Sequence, residues 1–405
     1  AGIGGGAYAA GGEITITGGV VVATSSSGAG IGGGDSDFSA GNGGKITITG
    51  GDVKATGNFG AGIGGGDGGD GGEITIGGDV VVEAESYYGA GIGGGNSGDG
   101  ETITIEDGVV TATGGGAGIG GGSAGNGGTI TITGGVVTAT GNYGDGIGGG
   151  YDVGDGDDDG DAGTFSTGKQ GNAFIIASSI GADDNTNGWS GVIFLKDESE
   201  DEGGDEDVST YSGKVYGSPT LPEGVITIPE GKNLEVEADK TLIIGEGTTL
   251  IVEEGAKITN SGTITNGGVL AVAGTLEKGG GSPSDPEPLG NLYKLDNGNI
   301  IGYSWLEGVR LTFDGNGGYI DYREQELVVA AKGGEVTAPT ELWRLGYTFA
   351  WWSSADNDRT EVLPSSEANN TYYAVWKYNP TIWVTGQDAS YTYGDELDIK
   401  VKGKV

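Results

Sequence analysis

The sequence contains no cysteine, no methionine and no histidine. Without cysteine the chain forms no disulfide and offers no thiol nucleophile. Without histidine as well, it has no zinc site of the usual kind, no usual haem ligand and no imidazole for acid–base catalysis. These absences exclude most thiol, zinc and haem chemistry from the start.

Positive charge is scarce, since 19 basic residues face 58 acidic ones and the formal net charge is −39. Such a surface repels phosphates, so we expect no nucleic-acid partner, and anionic membranes are excluded for the same reason. Cations are the natural counter-species. Long apolar runs are also missing: no stretch approaches the ~20 apolar residues of a membrane-spanning helix, so we expect no membrane insertion.

Proline is rare, with 9 residues, whereas glycine occurs 94 times. Glycine does not recur at every third position, which excludes collagen. It alternates instead with short runs of isoleucine, valine and threonine, the residues typical of β-strands.

An internal repeat organises the N-terminal part of the chain. The string GIGGG recurs at intervals of 27 to 32 residues, and blocks such as GGTITITGGVVTAT lie between its copies. Alternation in ITIT places isoleucine on one face and threonine on the other, so stacked units would bury a continuous apolar ladder. The sequence therefore predicts an all-β fold, a glycine-rich parallel β-helix. The isoleucines of GIGGG that mark its coils are Ile3, Ile31, Ile63, Ile92, Ile119 and Ile147.

Composition divides the chain into five predicted parts. We predict a GIGGG-repeat solenoid over 1–164, a continuing solenoid with acidic insertions over 165–280, and a linker, rich in Gly and Pro, at 281–290. A compact β domain follows over 291–378, and 379–405 alternates like a terminal strand segment that is too short to be a domain.

One acidic loop has the spacing of a calcium site. Alternate carboxylates in DxDxDG can converge on one ion, and glycine permits the sharp turn. The glutamate expected at the twelfth loop position is replaced by Ser166, and the alternative is a solvated acidic loop, as expected for the run 197–207. The predicted calcium ligands, with calcium as the one cofactor considered, are Asp155, Asp157, Asp159 and Asp161.

Two other motifs are interpreted as structural. GIGGG is followed by neither GKS nor GKT and occurs six times, so we assign it to tight corners rather than to a phosphate-binding loop. Outward threonine ladders could bind ice, but Gly77 and Glu106 interrupt them, and β-propensity explains the threonines equally well. The threonines concerned are Thr15, Thr17, Thr47, Thr49, Thr75, Thr104, Thr131 and Thr133.

Catalysis is not expected. A hydrolase needs a carboxylate pair in a groove and a lyase usually needs a basic residue, yet the first 150 residues offer only Lys45 and Lys54 as cations. We predict a non-enzymatic protein. The tryptophans of the compact domain could form a sugar-stacking platform, although core packing is the more usual role of such residues. They are Trp305, Trp343, Trp351, Trp352 and Trp376.

Residues 1 to about 280 resemble the repeats, and the segment that trails them, of large surface proteins of Gram-positive bacteria. The resemblance rests on GAGIGGG with GGxITITGGxVTAT, and on SGVIF, TIPEGKNLEV and GTTLIVEEGAKITNSGTITNGG. Residues 309–378 resemble the Listeria–Bacteroides repeat, or internalin B-repeat, through VRLTFDGNGG, GGEVTAPTELWRLGYTFAWW and NTYYAVWKY. The family usually has glycine between the aromatic residue and the tryptophan, whereas here Trp351 precedes Trp352.

The resemblance implies a small β-grasp-like module used as a spacer or adhesion element. The tail IWVTGQDASYTYGD resembles the opening of mucin-binding-type β modules. None of these families implies catalysis.

We therefore expect an extracellular or cell-surface, secreted structural protein: a stalk or fibre subunit with an adhesin-type role. The chain begins within a repeat and ends in an unfinished module, so we expect head-to-tail self-association with neighbouring copies by strand addition of residues 380–405. The alternative is an adhesin module that binds a host or environmental glycan or protein, with or without calcium.

Overall fold

A computed structural model describes residues 1–35, 41–151, 160–181, 188–197, 210–279, 287–321, 323–356 and 360–378. These residues form 34 β-strands, numbered β1 to β34 in chain order, and no helix. The expectation of an all-β chain with large parallel sheets is confirmed.

Residues 1–181, here called the first solenoid, wind into coils with three ladders of parallel strands. One ladder stacks the Ile–Gly dipeptides of GIGGG, each directly on the next. Its strands are β1 Ile3–Gly4, β3 Ile31–Gly32, β5 Ile63–Gly64, β8 Ile92–Gly93, β11 Ile119–Gly120 and β14 Ile147–Gly148.

The other two ladders contain the ITIT and VVxAT strands, which are continuous in the first two complete coils and separate afterwards. They comprise β2 Glu13–Thr24, β4 Lys45–Thr56, β6 Glu73–Ile76, β7 Val80–Glu85, β9 Thr102–Ile105, β10 Val109–Gly114, β12 Thr129–Ile132, β13 Val136–Gly141, β15 Thr164–Ser166 and β16 Ala173–Ala177. Beyond residue 181, β17 Gly191–Lys196 pairs with β16. Isoleucine, valine and alanine fill the interior, as the alternation predicts.

The solenoid changes direction at β17. Strand β17 pairs in parallel with β16 but antiparallel with β18, Tyr211–Tyr216. The buried face changes at the same place: Ile175 and Ile193 face the first core, whereas Phe174 and Phe194 face a second core on the other side of the same strands. Because strand direction and buried face both reverse, the winding keeps its hand.

The strands of residues 211–307, here called the second solenoid, stack onward from this shared wall of β16 and β17. Its coils are shorter, with partners such as Thr263 and Thr241 22 residues apart. The remaining strands are β19 Gly224–Ile228, β20 Lys232–Val236, β21 Thr241–Ile244, β22 Thr248–Val252, β23 Lys257–Asn260, β24 Thr263–Asn266, β25 Val269–Val272, β26 Thr275–Lys278, β27 Glu287–Lys294, β28 Asn299–Ile301 and β29 Tyr303–Asp314.

The structure adds detail to two of the predicted divisions of the chain. The second stretch is not a simple continuation, because its core lies on the opposite face of the shared wall. The predicted linker at 281–290 overlaps β27, whose Leu289 and Leu292 are buried in the second core. The glycines and prolines suggested a linker, but the apolar residues that follow complete another coil.

The small domain, residues 308–378, begins inside β29, whose first half pairs with β27 and whose second half pairs with β31 and β34. The sheet order is β31–β29–β34–β33, with the central pair β29 and β34 parallel. A β-grasp-like assignment stays a prediction. The strands are β30 Tyr319–Ile320, β31 Gln325–Ala331, β32 Leu342–Trp343, β33 Tyr347–Ser353 and β34 Asn370–Tyr378.

The small domain packs against the outside of the second solenoid. Leu327 and Val329 of β31 join an apolar cluster with Ile251 and Ala271 of the solenoid. Beside this cluster the Arg310 guanidinium lies 2.7 Å from the Glu253 carboxylate. A small, partly charged interface therefore holds the domain in place.

Candidate functional site: an aromatic edge of the first solenoid

Two loops of each coil meet along one edge of the first solenoid. One loop follows the VVxAT strand and the other follows GIGGG. Along the chain, the two-residue Ile–Gly strand lies between them. The Asn96 N–H of the second loop donates to the Phe59 carbonyl of the first at 2.8 Å, and Ser123 N–H donates to the Tyr88 carbonyl at 3.3 Å. Stacked coils therefore turn paired loops into a continuous edge.

All described aromatic residues of 1–151 lie on these loops and are exposed. Tyr87 is 65% exposed, Tyr143 59% and Phe59 38%, while the interior of these coils is entirely aliphatic. Aromatic side chains usually supply core or interface area, so their placement outside marks a candidate contact surface. This aromatic edge consists of Tyr8, Phe59, Tyr87, Tyr88, Tyr143 and Tyr151.

Three of the rings form a cluster on neighbouring coils. The Phe59 and Tyr88 rings stack with centroids 4.8 Å apart and planes 12° apart, while Tyr87 meets Tyr88 edge-on at 4.7 Å. The 4.8 Å separation equals the ~4.8 Å spacing of paired strands, so the ladder itself sets the ring spacing.

The next coil has no side chain at this place. Its loop is Gly114–Gly116, where the Gly115 N–H donates to the Ser86 carbonyl at 3.1 Å and the Gly115 carbonyl accepts from Tyr143 N–H at 3.2 Å. Tyr143 then restores an aromatic ring one coil further on. The edge thus has a gap, one coil wide, between the Tyr87–Tyr88 pair and Tyr143.

The stretch that carries the edge is acidic, and the described part of the edge has no cation of its own. Residues 1–151 contain fifteen acidic residues and two lysines. Lys45 pairs with Glu73 at 2.7 Å and Lys54 pairs with Glu83 at 2.6 Å, both on strands away from the loops.

The predicted calcium site stays a prediction, because only one of its four ligands lies in the described part of the chain. Asp155, Asp157 and Asp159 lie outside the described residues. Asp161 is exposed, and its N–H donates to the Asn126 side-chain oxygen at 2.8 Å. That bond continues a ladder of hydrogen bonds at one corner of the coils. The Asp99 N–H donates to the Asp70 side chain, and the Asn126 N–H donates to the Asp99 side chain. The backbone N–H of Asp161 therefore has a structural role. No group of three potential metal ligands occurs among the described residues.

The tryptophans of the predicted compact domain, 291–378, do not form one platform. Trp352 is buried against Phe313, which confirms core packing for this residue. The Trp376 indole N–H donates to the Gly315 carbonyl at 2.8 Å. Trp343 is exposed and stacks on Tyr319, while the Lys294 ammonium lies 4.9 Å from the exposed Trp305 ring.

One threonine column is more regular than the sequence suggested. The register aligns Thr15, Thr47, Thr75, Thr104 and Thr131 without a break. Gly77 and Glu106, which interrupt the threonines, lie in the neighbouring column, directly after strands β6 and β9. Ice binding through paired columns stays a prediction.

A second candidate site is an acidic cleft where the two solenoids and the small domain meet. Its cavity of about 540 Å³ is lined by Asp79 and Asp107 of the first solenoid, Glu223 of the second, and Asp321 and Arg323 of the small domain. Burial raises the pKa of Asp79, and the nearby Asp321 carboxylate raises it further. The carboxylates that line the cleft therefore repel one another across the solenoids and the small domain.

Sequence reasoning missed the aromatic edge, although a signal was present. The strings NFG, YYG and NYG occupy the same place in three of four successive repeats, and GGG stands there in the other. Aligning the repeats by their loops, rather than by their strands, would have put these rings in one column.

The coils described above define a repeat protein built on a parallel β-helix. A family model described as a beta helix repeat matches residues 14–35, 46–67, 103–123 and 130–151, all in the first solenoid. The N-terminal region therefore contains beta helix repeats. Searches of curated proteins and of solved structures found no match.

Within the described residues, no helix could serve as a membrane span.

Proposed function

We propose that this chain is a non-enzymatic, extracellular structural protein that serves as a stalk or fibre subunit at a bacterial surface and has an adhesive role. The observation that carries the proposal is the unbroken stacking of both solenoids on one ladder. Twelve strands from β2 to β28 follow one another in a single path. Eleven spacings of ~4.8 Å make a rod about 53 Å long.

Electron microscopy tests the stalk. Negatively stained single molecules should show a rod of about 50 Å with a small domain against its side. Native surface material labelled with an antibody to the chain should show it outside the cell. Globular particles, or label confined to the cell interior, would contradict the proposal.

Head-to-tail assembly is part of the same proposal. Its support is the strand-like alternation of 380–405 and the tendency of open sheet edges to accept another strand. Deleting 380–405 should abolish fibres and leave folded monomers by sedimentation. Fibres that persist after the deletion would remove strand addition by this segment.

The aromatic edge favours one alternative, a ligand-binding adhesin. A glycan array with and without EDTA tests whether the chain binds a sugar and whether calcium is needed. Binding that disappears with EDTA would revive a calcium role, whereas an EDTA-insensitive melting temperature would argue against it.

A further inference from the structure

The gap in the aromatic edge has the dimensions of a cation site. Tyr88 and Tyr143 occupy equivalent loop positions two coils apart, with glycine between them. Rings of adjacent coils lie 4.8 Å apart, as Phe59 and Tyr88 show. Two coils therefore separate ring positions by ~9.6 Å, and a group midway lies ~4.8 Å from each. Cation–π attraction operates within about 6 Å of a ring centroid.

Other aromatic rings of the chain, exposed or partly exposed, show which chemistry they accept. Elsewhere lysine or arginine covers aromatic faces: the Lys232 ammonium lies 3.2 Å from the Tyr211 ring, and the Arg344 guanidinium lies 4.3 Å from the Tyr347 ring. Lys377 and Lys294 cover Trp351 and Trp305 in the same way. No such pair is found on the described part of the aromatic edge, where the chain supplies no cation.

Charge favours the same occupant. The loops that follow GIGGG form one side of the edge, and they carry Asp67, Asp70 and Asp99, all partly exposed. Both lysines of residues 1–151 are already paired with glutamates on other faces. A cationic side chain is attracted by the charge of these carboxylates and by the ring faces together, whereas a neutral sugar gains no charge–charge attraction.

We propose that the aromatic edge binds an extended, lysine- or arginine-bearing segment of a partner protein, with one cationic side chain between Tyr88 and Tyr143. The inference deepens the proposed adhesive role by naming a site and a class of partner. The rings supply selectivity over the diffuse attraction that any acidic surface exerts on polycations.

The test measures binding of a fluorescent peptide of alternating lysine and serine at 150 mM salt, by anisotropy, on the whole chain. Replacing both rings (Tyr88→Ala with Tyr143→Ala) should weaken binding about five- to tenfold, from two cation–π contacts at a partly exposed site. The double Tyr→Phe variant keeps both rings and should bind like the parent. Tyr8→Ala, on the same edge but three coils away from the gap, is the matched control and should have no effect.

Equal binding by the double alanine and parent chains would overturn the inference, because attraction would then be purely electrostatic. Binding of a neutral oligosaccharide, lost in the double alanine variant while the peptide fails to bind, would replace it with a sugar site. Circular dichroism of each variant separates these outcomes from misfolding. The microscopy test of the rod does not depend on any of these outcomes, so it tests the stalk proposal separately.

Discussion

At the scale of single residues, the Ile–Gly ladder depends on glycine because coils approach one another by their backbones. Gly93 has φ +134°, and a Cβ at this position would overlap the carbonyl oxygen of Gly120 in the next coil. Both the dihedral angle and the close approach exclude an L side chain there.

Gly93→Ala should therefore destabilise the fold by about 1–3 kcal/mol from the backbone angle alone, and by more once the coils separate. Gly6→Ala is the matched control, since its Cβ would meet nothing within 4 Å and its φ lies outside the left-handed region. Urea unfolding of both variants measures the difference. Similar urea midpoints for the two variants would mean that the Ile–Gly ladder tolerates a wider separation of adjacent coils.

Asp145 ends the same ladder. Earlier coils place a fully buried alanine at this position, as at Ala117. In those coils the glycine N–H bonds to the next coil, as Gly121 N–H does to the Gly148 carbonyl at 3.0 Å. In the last coil the Gly149 N–H instead bonds to the Asp145 carboxylate at 3.2 Å, which also accepts from the Ser179 hydroxyl at 2.9 Å.

Asp145→Ala should cost about 1–3 kcal/mol, because a half-buried N–H loses its acceptor, whereas Asp145→Asn keeps an acceptor and should cost less. Burial raises the pKa of Asp145 above its usual 3.8, although the bonds from Ser179 and Gly149 oppose the shift. The folded state therefore holds this proton more tightly than the unfolded state. The contribution of Asp145 is greatest below pH 3.8 and declines as the pH rises through the folded pKa.

Thermal melts of the parent and the asparagine variant across this range measure the pH effect. The stability of the parent relative to Asp145→Asn should fall as the pH rises. A constant difference would show that the carboxyl group titrates alike in both states.

At the scale of elements, the shared wall joins two cores. Phe174 and Ile175 are neighbours in β16, yet Phe174 packs in the second core and Ile175 in the first. Strands that are buried on both faces have nearly continuous apolar sequences, as AFIIA and GVIFL do.

Each substitution should therefore act on a different solenoid. Phe174→Ala should cost about 3–5 kcal/mol and Ile175→Ala about 2–5 kcal/mol, in line with large-to-small core changes. Hydrogen exchange should accelerate mainly in β20 and β23 for the first variant, and mainly in β10 and β13 for the second. Identical exchange patterns would argue for one cooperative unit rather than two.

At the scale of the whole molecule, the small domain is held against the solenoids by opposing forces. The apolar cluster around Val329 and the Arg310–Glu253 ion pair favour docking. Carboxylates oppose it where the small domain faces the first solenoid, since Asp321 approaches Asp79 and Glu324 approaches Asp52.

Docking should therefore tighten in acid. Burial, then the facing carboxylates, raises the pKa of Asp79 and of Asp52, against the opposing effects of Arg323 and Lys54 respectively. Burial also raises the pKa of Glu326 on β31. Acids with raised pKa values bind protons more tightly in the docked state, so docking is favoured at low pH and weakens as pH rises through those values.

Exchange protection of β31 against pH measures this effect. It should decline above about pH 4 in the parent, and less in a chain carrying Asp79→Asn with Asp52→Asn. Lys45→Gln, which removes a cation on a distant strand, is the control and should follow the parent. A parent profile without pH dependence would contradict the role of these carboxylates.

The local pattern alone determined the first solenoid. Period-two alternation in ITIT and VVxAT assigns each side chain to a face, and recurrence of GIGGG sets the coil length, so strands, core and corners were all predictable. These features depend on neighbours within one repeat or on identical positions in the next.

Only the tertiary structure decided how segments that are far apart in the sequence pair and pack with one another. The reversal at β17, the burial of both faces of β16, and the continuation of β29 into the small domain all involve partners that no repeat specifies. The aromatic edge is of the same kind. Its rings are visible in the sequence, but loops of unequal length come into register only when the coils stack, and stacking leaves the gap between Tyr88 and Tyr143.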